Sequence, residues 1–152
     1  MPNLYTAGKS TMIAYSLDGG GGASQPLPEN EYSDMEAEYI AIIYGLNNYY
    51  LAWNRELDER QATMDTEQFS AIGEVEFAKA PKPSVFTRRP LPPPVLVICS
   101  REIVVKHLSD QLFTVSSRIH QLITQIWRQC GNIDIKFEWI EDSKNPARKM
   151  LI

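Results

Sequence analysis

The chain has 152 residues and a mass of 17.3 kDa, the length of one domain, and its 43% apolar and 22% charged residues are ordinary globular usage, which excludes global disorder and fibrous classes. Charge is uneven: residues 1–97 carry 7 Lys/Arg against 13 Asp/Glu, whereas residues 98–152 carry 8 against 6, for a formal net charge of −4. Neither part has the basic excess that broad phosphate neutralisation requires, so a general DNA- or RNA-coating role is excluded.

The two cysteines, Cys99 and Cys130, cannot form the disulfide framework of a secreted domain, and both sit among apolar neighbours where a reduced thiol packs as a small hydrophobe. An intracellular, reducing location is expected. No basic stretch leads into an apolar one at the N-terminus, and no run of ~18 apolar residues occurs, so neither a signal peptide nor a membrane span is expected.

In chain order, Leu4-Tyr5 and Met12–Leu17 flank Gly8-Lys9-Ser10-Thr11 and read as a hairpin. Asp18 and glycines 19–22 make a second turn, after which Ala23 to Glu31, with two prolines, predicts an irregular edge strand. Ser33 or Asp34 caps a helix over residues 34–59, with Ile40, Ile43, Leu46, Tyr50, Trp53 and Leu57 recurring at three and four. From Glu59 to Pro94 the periodicity dissolves, and Pro81, Pro83, Pro90, Pro92, Pro93 and Pro94 cluster at its end. A connection of that length is functional, partly disordered, or a sign of mistaken element assignment. Phe69, Ile72, Val75 and Phe77 are its candidate anchors.

Val95-Leu96-Val97-Ile98-Cys99 is a β-branched run suited to a strand buried on both faces. Ser100 is placed to cap a helix starting at Arg101, and a second helix follows Ser109-Asp110 and ends at Cys130-Gly131. Ile133, Ile135, Phe137 and Trp139 alternate with Asp134, Lys136 and Glu138 in a half-buried strand, and Asn145 to Ile152 begins a last short helix. The apolar Leu151-Ile152 end either packs on a neighbour or marks a cut from something longer. The prediction is one α/β domain over residues 1–152 with a Pro-rich insertion at about 60–94.

Four motifs, in order and over nearly the whole chain outside residues 60–94, resemble the ribonuclease H family, particularly its retroelement, reverse-transcriptase-associated type. Tyr5-Thr6-Ala7-Gly8-Lys9-Ser10 resembles Y-T-D-G-S. Ser33-Asp34-Met35-Glu36-Ala37-Glu38-Tyr39-Ile40-Ala41 with Gly45-Leu46 resembles N-N-x-E-A-E-Y-x-A-L followed by G-L, and is the most specific. Val97 to Lys106 resembles x-x-D-S-x-L-V-V, and Trp139-Ile140 with Asn145-Pro146-Ala147-Arg148 resembles W-x-P followed by N-x-A-D. The resemblance implies a mixed five-stranded sheet with helices on both faces. It also implies cleavage of RNA in an RNA/DNA hybrid by two Mg²⁺ ions ~3.5–4 Å apart, held by carboxylates from the first strand, first helix, fourth strand and last helix.

At those four positions the chain reads Ala7, Glu38, Ser100 and Arg148. Sliding the third motif by one residue offers Cys99, no better a Mg²⁺ ligand, and the nearest other acids by position, Asp18 and Asp142, would still leave two carboxylates missing. One acid beside a fixed positive charge holds Mg²⁺ weakly, so no catalytic residue, metal or cofactor is expected.

Other features carry competing readings. Glu38 is a relic, a solvated helix residue or the ion-pair partner of Arg148. Tyr39, Tyr44, Tyr49, Tyr50 and Trp53 either stack bases or pack the core and edges, and the acidity of their helix favours packing. His107 and His120, 13 residues apart, lack a Cys or Asp at ligand spacing. Among basic residues, Arg118 and Arg128 share one helix, and Lys144, Arg148 and Lys149 would rim the substrate cleft of the implied fold as a nucleic-acid contact. Arg88, Arg89, Pro92 and Pro93 mark the insertion as a docking point for a protein partner, with the proline run as a spacer or a ligand for an aromatic groove. The expectation is an inactive ribonuclease H-like scaffold or adaptor in a larger assembly. The alternatives are a non-cleaving RNA or hybrid binder, and a nuclease with a rearranged metal site.

Overall fold

The computed structural model describes residues 1–18, 21–72, 91–109, 116–130 and 133–151, with 61–72 described by backbone alone. Five strands form one mixed sheet: β1 (Asn3–Lys9), β2 (Met12–Leu17), β3 (Gly22–Pro26), β4 (Val95–Cys99) and β5 (Ile135–Trp139), in the order β3-β2-β1-β4-β5. β2 is antiparallel to both β1 and β3, whereas β1–β4 and β4–β5 are parallel. The hairpin turn tightens to Ser10-Thr11, because Gly8 and Lys9 remain in the ladder opposite Ile13 and Met12. The edge strand β3 covers Gly22–Pro26 rather than Ala23 to Glu31, and all five of its residues are exposed. Pro26 lacks an N–H and ends it.

Helix α1 (Asp34–Ile72) starts with a reciprocal cap that selects Ser33 over Asp34. The Glu36 amide donates to Ser33 Oγ at 3.1 Å, and the Ser33 amide donates to Glu36 Oε1 at 3.3 Å. Asp34 instead accepts from the Ser10 amide at 2.7 Å and ties the helix start to the hairpin turn. The predicted end at residue 59 is corrected: the helix continues to Ile72. Residues 60–72 carry no apolar stripe but contain Gln61, Ala62, Met64, Glu67 and Gln68, whose intrinsic preference is helical. Phe69 and Ile72 thus fall on the helix backbone, while Val75, Phe77, Arg88 and Arg89 lie outside the described residues. The chain divides into two compact units, Met1–Tyr49 with Pro93–Ile152, and Tyr50–Pro92.

Side-chain alternation along β1 separates the two layers of the first unit. Leu4 and Gly8 face α1, while Ala7 turns the other way and packs with Ala14 and Ala147. Ile13, Ala37, Ile40 and Ala41 form a core cluster against which Leu122 packs, which places α3 (Ser117–Cys130) on the α1 side. α4 (Pro146–Lys149) covers the opposite face through Ala147. α2 (Glu102–Leu108) joins the α1 side through a buried bond between the Tyr39 hydroxyl and His107 Nδ1, with the rings stacked. His107 is therefore a satisfied core histidine, and His120 is exposed on α3. Burial pushes the Cys99 thiol up to about 12 and the half-buried Cys130 thiol up to about 11. No helix among the described residues is long and apolar enough to cross a membrane.

One expected cap differs. Ser100 does not cap α2; extended Arg101 precedes it without a side-chain cap, and the Ser100 hydroxyl is engaged elsewhere. α3 is described from Ser117, with Ser116 Oγ accepting from the Ile119 amide at 3.3 Å, and the expected helix start directly after Ser109-Asp110 falls on residues outside those described. Residues 110–115 lie outside the described residues.

Candidate functional site

The end of β1 lets α1 approach unusually closely. A Cβ on Gly8 would stand 2.4 Å from the Ala37 carbonyl carbon and oxygen and 2.8 Å from the Glu38 amide. Only glycine permits that crossing, and the crossing seats Glu38 against the strand with no exposed surface.

Ala7, Glu38, Ser100 and Arg148 come together at this point. Arg148 reaches in from α4 and pairs through Nη2 with Glu38 Oε1, while the same nitrogen donates to Ser100 Oγ at 3.2 Å. Its Nη1 donates to the Gly8 carbonyl at 3.3 Å, and its Nε donates to Asp142 Oδ1 at 3.1 Å. Arg101 adds a longer contact from Nε to Glu38 Oε1 at 3.4 Å. Of the three roles open to Glu38, the ion pair is the one observed.

Asn145 holds the frame. Its Oδ1 caps α4 by accepting from the Ala147 amide at 3.0 Å, and its Nδ2 donates to the Thr6 carbonyl at 3.0 Å and to Ser100 Oγ at 3.3 Å. One buried amide therefore fixes β1, the end of β4 and the start of α4 in register. Ala7 lies beneath, fully buried in its alanine cluster.

Electrostatically the site is a guanidinium plug over a buried carboxyl. Burial is the largest influence on Glu38 and pushes it above its ordinary 4.5, against the pull of the Arg148 guanidinium, the Gly8 amide and Arg101. Glu38 Oε2 and Thr6 Oγ1 are buried with no hydrogen-bond partner among the described residues. Among the described residues no three His, Cys, Asp or Glu side chains group closely enough to hold a metal ion.

Asp142 enters the site only as a partner of Arg148, and Asp18 sits at the opposite end of β1, its amide donating to the Asn3 carbonyl. Lys144 and Lys149 are exposed on the 3-10 turn and α4 that carry Asp142 and Arg148. Arg118 has a structural partner set, pairing with Glu36 at 2.9 Å, donating to the Glu31 carbonyl and lying over the Tyr32 ring. Tyr49 donates to the Pro93 carbonyl at 2.6 Å, Tyr39 is buried, and Pro92 is buried. The packing reading holds for both tyrosines. Arg101 and Thr6 were not distinguishable as site residues by sequence, since no local spacing links Arg101 to a carboxylate 63 positions away.

No protein-family model matches the chain, and no curated protein matches it by sequence. Solved structures do match. They include the N-terminal RNase H domain of rv2228c from Mycobacterium tuberculosis, solved as a maltose binding protein fusion, at 14% identity over 95% of this chain and 84% of that one, with a TM-score of 0.58. RNase H1 from the halophilic archaeon Halobacterium salinarum NRC-1 matches at 12% identity over 99% and 91%, with a TM-score of 0.58. LC11-RNase H1, solved in complex with an RNA/DNA hybrid, matches at 15% identity over 99% and 93%, with a TM-score of 0.62. The mixed five-stranded α/β sheet is the ribonuclease H fold, and likeness at these identities speaks for fold alone.

Proposed function

We propose that this chain is a ribonuclease H-like module of the retroelement-related type that has lost hydrolysis and works by binding, as a scaffold or adaptor in a larger assembly. The observation that supports this is the seat of Arg148. Two-metal phosphodiester cleavage needs several carboxylate oxygens converging on one spot. Here Glu38, the one buried acid among the described residues, is paired with a guanidinium that also uses Ser100, Asp142 and the Gly8 carbonyl. A fixed cation stands where a mobile one would have to bind.

The test is an RNA/DNA hybrid incubated with the full chain and either Mg²⁺ or Mn²⁺. No cleavage is expected; cleavage abolished by Glu38→Gln would overturn the proposal. A companion variant carrying Ala7→Asp, Ser100→Asp and Arg148→Asp restores the implied ligand set. Calorimetric titration is expected to show Mn²⁺ binding at least about tenfold tighter than in the unmodified chain, because hard cations follow the number of carboxylate oxygens. Equal weak binding in both would remove the ligand argument.

Protein is favoured over nucleic acid as the partner because the net charge is negative and Arg148, the best placed basic residue, is already paired. The exposed Lys144 and Lys149 support a second reading, a non-cleaving contact with RNA or a hybrid. Binding at low salt whose salt slope shrinks on Lys144→Gln/Lys149→Gln would favour it.

A further inference from the structure

Among the described residues the sheet has two open edges, and they differ in chemistry. β3 reads Gly-Ala-Ser-Gln-Pro, with no alternating apolar side chains and no donor at Pro26. β5 reads Ile-Lys-Phe-Glu-Trp, a regular alternation, and it is paired on one side alone among the described residues.

The hydrogen bonds define which groups of β5 are free. The Asp134 carbonyl accepts from the Val95 amide at 3.2 Å, and the Ile140 amide donates to the Cys99 carbonyl at 3.0 Å. In a parallel ladder alternate residues face the same neighbour, so even-numbered residues from 134 to 140 turn their backbone toward β4. Ile135, Phe137 and Trp139 therefore present N–H and C=O groups to the open edge. Their side chains form one face of the strand, with Trp139 47% exposed, while Lys136 and Glu138 are exposed on the other.

We infer that β5 is a self-association edge, pairing antiparallel with β5 of a second copy about a two-fold axis at Phe137, so that the two sheets join. The backbone restricts the partner register to odd residues opposite odd residues. Charge then selects among the three central choices. Ile135 opposite Phe137 would put Lys136 against Lys136, and Phe137 opposite Trp139 would put Glu138 against Glu138. With Phe137 opposite Phe137, Lys136 faces Glu138 of the second copy twice, in the non-hydrogen-bonded pairs where side chains are closest, and Ile135 faces Trp139 twice. The sequence of β5 is thus self-complementary in charge about its centre, as an isologous interface requires. Edge charges commonly oppose pairing when they meet their own kind; here the reversed order of Lys136 and Glu138 converts them into partners.

An interface built on one five-residue strand is small, so association is weak and concentration-dependent. Sedimentation equilibrium on the full chain measures it, with circular dichroism to verify that each variant is folded; both substitution sites are exposed. Lys136→Glu and Glu138→Lys, each alone, are expected to raise the dimer dissociation constant at least about tenfold by placing like charges opposite each other. The double variant Lys136→Glu/Glu138→Lys restores complementarity and returns the constant to within about threefold of the unmodified chain. An equimolar mixture of the two single variants pairs more tightly than either alone, because each Glu of one then faces a Lys of the other. A chain that stays monomeric up to its solubility limit, a Lys136→Glu variant that dimerises unchanged, or single variants that fail to pair on mixing would each overturn the inference.

Discussion

Gly8→Ala is expected to lower the unfolding free energy by about 3 kcal/mol, read as a fall in the urea midpoint at unchanged slope. The reason is geometric. The new methyl would meet the backbone of α1 at 2.4 Å, and a carbonyl within a helix cannot turn aside as a side-chain tip can. The helix must lift from β1, and lifting it withdraws Glu38 from the bonds that Arg148 makes to it and to the Gly8 carbonyl. Gly45→Ala is the control. Its methyl would meet the Leu4 side-chain tips at 3.1 and 3.3 Å and Tyr15 Cβ at 3.3 Å, and alanine gains helix propensity of about 0.5–1 kcal/mol, so the net change is expected to be within about 0.5 kcal/mol. Equal effects at both positions would show that the β1–α1 crossing is not specifically tight.

This contrast also bears on what the sequence alone reveals. Tyr5 to Ser10, the Ser33 to Ala41 block and the β-branched run at Val95 each carry a local signal, and from them the hairpin, the start of α1 and the strand β4 are legible, whereas the gathering of Ala7, Glu38, Ser100 and Arg148 is legible through the family resemblance alone, which also draws on the Asn145 to Arg148 block. Signals that depend on distant partners are not. Ser100 reads as a helix cap because serine before a helical pattern usually is one, yet its hydroxyl accepts from Asn145 and Arg148, 45 and 48 positions away. Arg101 and the Tyr39–His107 bond are silent in the same way. The end of α1 is missed for a different reason. Residues 60–72 favour helix by propensity without an apolar stripe, and periodicity finds only helices that bury a face.

The second large effect concerns the pair at the centre of the site. Arg148→Met is expected to destabilise the fold by about 3–5 kcal/mol at neutral pH, since it removes the guanidinium from a fully buried carboxyl and leaves Arg101 at 3.4 Å as its one cationic neighbour among the described residues. In Glu38→Gln/Arg148→Met the loss is smaller than the sum of the single losses, because no buried charge is stranded. The pH dependence has a definite sign. Burial raises the folded Glu38 above 4.5, so the native state binds the proton more tightly than the unfolded chain does. The contribution is therefore most favourable below 4.5 and declines as pH rises, by at most about 1.4 kcal/mol per pH unit for a single proton. Subtracting the unfolding free energy of Glu38→Gln from that of the unmodified chain between about pH 4 and 8 isolates this group, and the difference is expected to fall with pH. In Arg148→Met the strongest opposing attraction is gone, so the decline extends to higher pH. A difference that instead grows with pH would mean that the guanidiniums outweigh desolvation, and Glu38 would then be an anion locked in place by its arginines rather than a carboxyl strained by burial.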